Sequence, residues 1–171
     1  MYVVLMAMLA LNISTEVLNG FSIVEESLNR TTSNSSKENE SIYSDFLEQM
    51  KTNPEKVKAW FDKATMVKQM SDSLYNYAQS LKEQIVKEAD GDDADLNNIV
   101  GKDNLEAAAH VMLAPGTGQG KKLYDAINSY RERILKMVND DHQRQLIAEN
   151  LSTKIPKKGN ALGKNWQEYM F

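Results

Sequence analysis

The chain contains no cysteine, which removes both a disulfide framework and any thiolate nucleophile or metal ligand. Only three prolines and eight glycines interrupt 171 residues, so long stretches carry no strong breaker of regular structure. Histidine occurs twice, at His110 and His142, and no catalytic triad suggests itself around them. Positive charge is not in excess: the net charge of −4 argues against general affinity for nucleic acid or anionic lipid surfaces. No apolar run reaches the roughly 20 residues that a spanning helix needs. What remains is a chain whose apolar side chains recur at helical spacings, and the fold class expected is all-α.

The longest apolar run is the first one. Residues 1–11 are apolar and uncharged, and the first charge is Glu16. No basic region precedes the run and no clean small-x-small site follows, so it does not read as a signal peptide. It reads as the outer end of a transmembrane helix, residues 1–13, that begins upstream; a buried N-terminal core helix is the alternative. On the first reading Tyr2, Val3, Val4, Leu5, Ala7, Leu9 and Ala10 contact partner membrane helices or lipid, with the small Ala7 and Ala10 permitting close approach.

Residues 14–171 then form a water-facing helical bundle. Val17, Phe21, Val24 and Leu28 make a first seam, and Ile42, Phe46 and Met50 resume it beyond the polar stretch 29–41. That stretch lacks Gly and Pro, which favours one long helix over a Ser/Asn-rich linker. Asn53 is a good N-cap and Pro54 suits the first helical position. Val57, Trp60, Ala64, Val67, Ser71, Leu74, Ala78, Leu81 and Ile85 step three and four over four heptads, with Ser71 the one polar member. Ala89-Asp90-Gly91 ends that helix. A shorter one is expected from Asp103, where Asp103 and Glu106 have capping-box spacing. The next begins near Lys121, with a stripe through Leu123, Ile127, Tyr130, Ile134, Met137 and Val138 and on to Leu146, Ile147 and Leu151. Residues 165–171 look like the start of a further helix. The core expected pairs Trp60, Val67, Leu74 and Leu81 with Ile127, Tyr130, Ile134 and Val138.

Several motifs invite chemistry and fail on inspection. Gly116-Thr-Gly-Gln-Gly-Lys121 resembles a phosphate loop, but Pro115 takes the first glycine position, Lys122 replaces the hydroxyl residue, and a helix precedes it. Asp90, Asp92, Asp93 and Asp95 offer oxygens, but no Glu closes a twelve-residue calcium loop. Asp140-Asp141-His142 lacks converging ligands. Asn12, Asn29, Asn34, Asn39 and Asn150 head glycosylation triplets, which arise by chance in a Ser/Asn-rich chain. No catalytic residue, metal ligand or cofactor is assigned.

Residues 2–21, Asn53-Pro-Glu-Lys-Val-Lys-Ala-Trp-Phe-Asp-Lys-Ala64, Ser71-Asp-Ser-Leu-Tyr-Asn76, Glu88-Ala-Asp-Gly-Asp-Asp-Ala-Asp-Leu96 and Ala107-Ala-Ala-His-Val-Met-Leu-Ala-Pro115 resemble, in order, the GldM/PorM family, and its PorM branch most. This is the inner-membrane motor subunit of the Bacteroidetes type IX secretion and gliding system. The resemblance implies a homodimer whose single membrane helix sits in a ring of PorL/GldL-type subunits. It implies a periplasmic shaft that carries proton-driven rotation to distal periplasmic and outer-membrane partners. Residues 14–171 would be most of the first periplasmic domain, and the family's membrane arginine would lie upstream of Met1. The function expected is therefore a non-catalytic shaft subunit. A ligand-sensing bundle attached to a membrane helix is the alternative.

Overall fold

A computed structural model of the chain describes residues 15–158, 160 and 162–171, and these are helical without a strand among them. The first two helices are α1 (Thr15–Thr52) and α2 (Pro54–Asp90), 38 and 37 residues long. Asn53 alone separates them. Its N–H donates to the Gln49 carbonyl at 2.8 Å, and its own carbonyl accepts from Lys56 and Val57, each at 3.2 Å. Pro54 needs no partner for an N–H it lacks, and the residue before a proline is pushed out of helical geometry. The chain therefore reverses here. Tyr43 and Phe61, 18 residues apart, stack with ring centroids 5.7 Å apart, whereas one unbroken helix would separate them by about 27 Å.

The chain divides into two compact units, residues 1–62 and 63–171. In the first, α1 runs without a break through 29–41, as a long helix rather than a linker. Residues 23–42 are all exposed, so no tertiary packing supports that part of the helix. Nine of the thirteen residues 29–41 are Asn, Ser or Thr. At roughly half a kcal/mol each relative to Ala, they place the segment about 4–5 kcal/mol below a good helix former. Thr31 and Thr32 turn their hydroxyls back onto the carbonyls of Ser27 and Leu28, both at 2.9 Å.

The seam Val17, Phe21, Val24 and Leu28 lies on α1 as expected and is exposed: Phe21 is 67% exposed and the others about half or more. Farther along, Tyr43 rather than Ile42 joins Phe46 and Met50 on the partly covered face, because the stacking partner Phe61 lies on that side.

The second unit holds the core. Its other helices are α3 (Ala107–Leu113), α4 (Gly120–Met137), α5 (Asp141–Asn150) and α6 (Trp166–Met170). The buried hydrophobic residues are Leu81 and Val86 of α2, Ala107 and Met112 of α3, and Ile134 of α4. Val67, Leu74, Ile127, Tyr130 and Val138 are half-buried. Ser71, the polar exception in the α2 seam, sits 2.8 Å from the Tyr130 hydroxyl. Its own proton goes to the Val67 carbonyl at 2.9 Å, which leaves the tyrosine O–H to donate to Ser71.

Trp60 does not join this core; it is 62% exposed. It belongs to the first unit, and α4 is too short to match the whole α2 seam. Eighteen residues span about 27 Å, against about 42 Å from Val57 to Ile85.

The shorter helices are set by local chemistry. Gly91, at φ +85°, closes α2 by donating its N–H to Lys87 O at 2.8 Å. Asp90 then reaches across the loop, its carboxylate accepting from the N–H groups of Val100 and Gly101 at 2.9 and 2.6 Å. The α3 helix starts at Ala107, later than expected: its N-cap is Glu106, and the Asn104 side chain holds the turn before it by accepting from the N–H groups of Glu106 and Ala107. The stripe expected to run on to Leu151 is cut at Met137. Asp140 caps α5 by accepting from Gln143 N–H at 2.8 Å, and Arg144 closes the end of α4 by donating to the carbonyls of Leu135 and Val138. Asn165 and Glu168 cap α6 reciprocally, each bond 3.0 Å.

Burial sets an expected contrast. Leu81→Ala, at a side chain 3% exposed, should cost about 2–5 kcal/mol in urea denaturation. Trp60→Ala should cost less than about 1 kcal/mol. Equal losses would show Trp60 to be as deeply covered as Leu81.

Candidate interaction surfaces

The expected membrane-contact residues Tyr2, Val3, Val4, Leu5, Ala7, Leu9 and Ala10 lie outside the described residues. Among those described, no helix is long and apolar enough to cross a membrane. What the structure offers instead is surface, and two stretches of it stand out.

The first is the apolar face of α1 formed by Val17, Phe21, Val24 and Leu28, with spacings of four, three and four. On a helix these positions share one side, the geometry of a coiled-coil seam. Ile23 and Ile42 add further exposed apolar area to the same helix.

The second is a groove of about 420 Å³ beside α6, lined in part by Tyr124, Thr153, Ile155 and Trp166. It rests on an aromatic cluster. Tyr124 and Trp166 lie 5.7 Å apart, and Phe171 meets Trp166 edge-on at 6.1 Å. Beneath it Thr153, the one buried polar residue among those described, donates to the Asn128 side-chain oxygen at 2.9 Å. Arg131 donates to that same oxygen at 2.5 Å and to Leu151 O at 3.0 Å, while Asn128 donates to Tyr124 O at 2.7 Å. This network pins the segment 151–153 along α4. Sequence reading missed it, because Asn128, Arg131 and Thr153 follow no spacing rule that would connect them.

The tempting motifs turn out to be packing and capping devices. In the glycine-rich loop the N–H groups of Gly118 and Gln119 already donate to the carbonyls of Ala114 and Val111, at 2.7 and 3.2 Å. A phosphate would find these donors used. The glycines serve close approach instead. A Cβ on Gly118 would lie 2.7 Å from Met112 O, and one on Gly120 would lie 2.7 Å from Gln167 Cβ and 2.9 Å from Met112 O.

The acidic loop is likewise occupied. Asp92 pairs with Lys87 at 2.8 Å, and that hydrogen bond holds the Asp92 carboxyl below and the Lys87 ammonium above their usual pKa. Asp95 accepts from Asn97 N–H at 2.9 Å. His110 lies 2.5 Å from Glu88. No group of three His, Cys, Asp or Glu side chains that could hold a metal occurs among the described residues. The Tyr77 hydroxyl has no hydrogen-bond partner there, and its desolvation raises its pKa.

These features describe helices that present faces rather than a pocket of reacting groups. The GldM N-terminal domain family matches residues 16–171, nearly the whole chain. The chain belongs to the GldM family. That match runs from the first turn of α1 to Phe171 and so covers both units. No curated protein matches the chain. GldM-family proteins are structural and motor components associated with gliding, type IX secretion and the inner membrane, and theirs is not an enzyme family.

The glycine geometry carries its own test. Ala is usually better than Gly in a helix by about 1 kcal/mol. Gly120→Ala should nonetheless destabilise by about 1–3 kcal/mol through overpacking. Thermal melts check this, with added ATP expected to leave the wild-type midpoint unchanged. A stabilised G120A variant would show that α3 and α6 do not press on this site.

Proposed function

We propose that this GldM-family chain is a non-catalytic shaft subunit of the type IX secretion motor. In this reading the apolar residues 1–11 belong to a membrane helix seated among PorL/GldL-type subunits, and the soluble bundle lies in the periplasm. Proton-driven rotation at the inner membrane passes through α1 into the bundle and on to distal periplasmic and outer-membrane components. The observation that carries the reading is the family match over residues 16–171 combined with α1, a 38-residue helix whose first residue lies just beyond the apolar run.

Helical continuity supports a mechanical role, since a helix passes force along its axis through bonded turns and a random coil does not. A homodimer partner, implied by the family, would cover apolar side chains of α1 that this chain alone leaves in water. The aromatic groove beside α6 is a surface suited to further protein contact. No specific observation favours the ligand-sensing alternative: in the groove beside α6 Lys121 is the one charged lining residue.

The junction between the apolar run and α1 provides the test. Inserting about four Gly/Ser residues between Asn12 and Glu16 creates a coil joint. Secretion of type IX substrates should fail in cells carrying the insert, while co-purification with the membrane partner persists. Secretion at the wild-type level would refute force transmission through this junction.

A further inference from the structure

We propose that residues 29–41 of α1 act as a compliant joint: helical at rest, they open locally far more often than the turns on either side. Three independent observations converge on this one segment. Every residue from 23 to 42 is exposed, so opening there uncovers no buried apolar surface. The segment is dominated by Asn, Ser and Thr, whose side chains compete with the helical backbone for hydrogen bonds. Thr31 and Thr32 bond to the carbonyls four residues back, which slightly destabilises a helix; Ser71 and Ser73 do the same in α2, where packing offsets it for Ser71. No ion pair among the described residues involves 29–41, although α2 and α4 carry such i,i+4 pairs at Lys58–Asp62, Lys68–Asp72 and Lys121–Asp125.

The flanks differ. Toward Asn53, Tyr43, Phe46 and Met50 are partly covered and Tyr43 stacks on Phe61. Toward the N-terminus, Val17, Phe21, Val24 and Leu28 are exposed but share one apolar face that a partner could cover, whereas 29–41 holds no apolar residue. A weak middle between two holdable ends localises bending. The absence of Gly and Pro sets the character of the joint: the helix re-forms after each opening instead of being permanently broken. Residues 15–28 thereby gain freedom to change direction relative to residues 43–52 while the chain between them stays mostly helical. This deepens the shaft reading by naming where the shaft gives, but its test reads exchange and distance rather than secretion, so either idea can fail alone.

The test uses the full-length protein with its membrane partner. In hydrogen–deuterium exchange, amides of 31–41 should exchange at least about 100-fold faster than those of residues 75–88 in α2. A variant carrying Thr31→Ala, Thr32→Ala, Ser33→Ala, Ser35→Ala and Ser36→Ala should slow exchange in 31–41 by about 10- to 100-fold and leave 75–88 unchanged. The cysteine-free chain also allows clean spin labelling at Glu26→Cys and Asp45→Cys. A straight helix separates these backbones by about 29 Å. The wild type should give a broad distance distribution extending below that value, and the alanine variant a narrow one. Wild-type exchange in 31–41 as slow as in 75–88, or a wild-type distribution as narrow as the variant's, overturns the joint.

Discussion

Residues 63–171 are organised around α4. Tyr130 ties it to Ser71 on α2, and α3, α5 and α6 all pack against it. Its first turn is held so close to the end of α3 and to α6 that positions 118 and 120 have no room for a side chain. Its far end is closed by Arg144 from α5. The polar bond between Ser71 and Tyr130 is worth only about 1 kcal/mol net, so it does not drive folding. It selects the register, because any slip of α4 along α2 would leave both hydroxyls half-buried without each other.

The first unit is held differently. Its stability comes from the turn at Asn53-Pro54 and the aromatic contact just beyond it, and support fades with distance from that turn. Beyond Tyr43 the helix carries its own backbone bonds and little else. A helix in that condition is sustained by elongation from its packed end and by whatever covers its apolar face. The same lack of packing makes α1 suitable for a moving part. A fully packed helix would resist bending and could not present Phe21, Val24 and Leu28 to a partner.

Charge plays a local role throughout. The ion pairs are exposed and contribute little to overall stability. The partly buried polar cluster of Thr153, Asn128 and Arg131 matters more. Its hydrogen bonds tie Leu151 and Thr153 to α4, so the segment without helical structure still has a defined path. The aromatic trio Tyr124, Trp166 and Phe171 adds the apolar half of the same attachment.

Much of this was legible in the residues. The long α1, the cap at Asn53-Pro54, the stop at Gly91 and the start of α6 at Asn165 follow from near-neighbour chemistry: which side chain reaches which N–H, and which residue lacks one. The family resemblance was legible too, because it rests on ordered identity along the chain. Other features needed the fold. Periodicity says that a face is apolar but not what covers it: Trp60 was assigned to the core and is largely exposed, and the seam Val17, Phe21, Val24 and Leu28 is exposed as well. Spacing showed a glycine-rich loop but not that the N–H groups of Gly118 and Gln119 are spent on the carbonyls of Ala114 and Val111. The Asn128, Arg131 and Thr153 network joins residues up to 25 apart through directions of side chains that no local pattern encodes. Sequence by itself determined the turn at Asn53-Pro54, the stop at Gly91 and the start of α6, since capping acts over three or four residues; the start of α3 and the break after Met137 it did not. Tertiary structure decided which faces are buried, since burial depends on the length and position of the helix opposite.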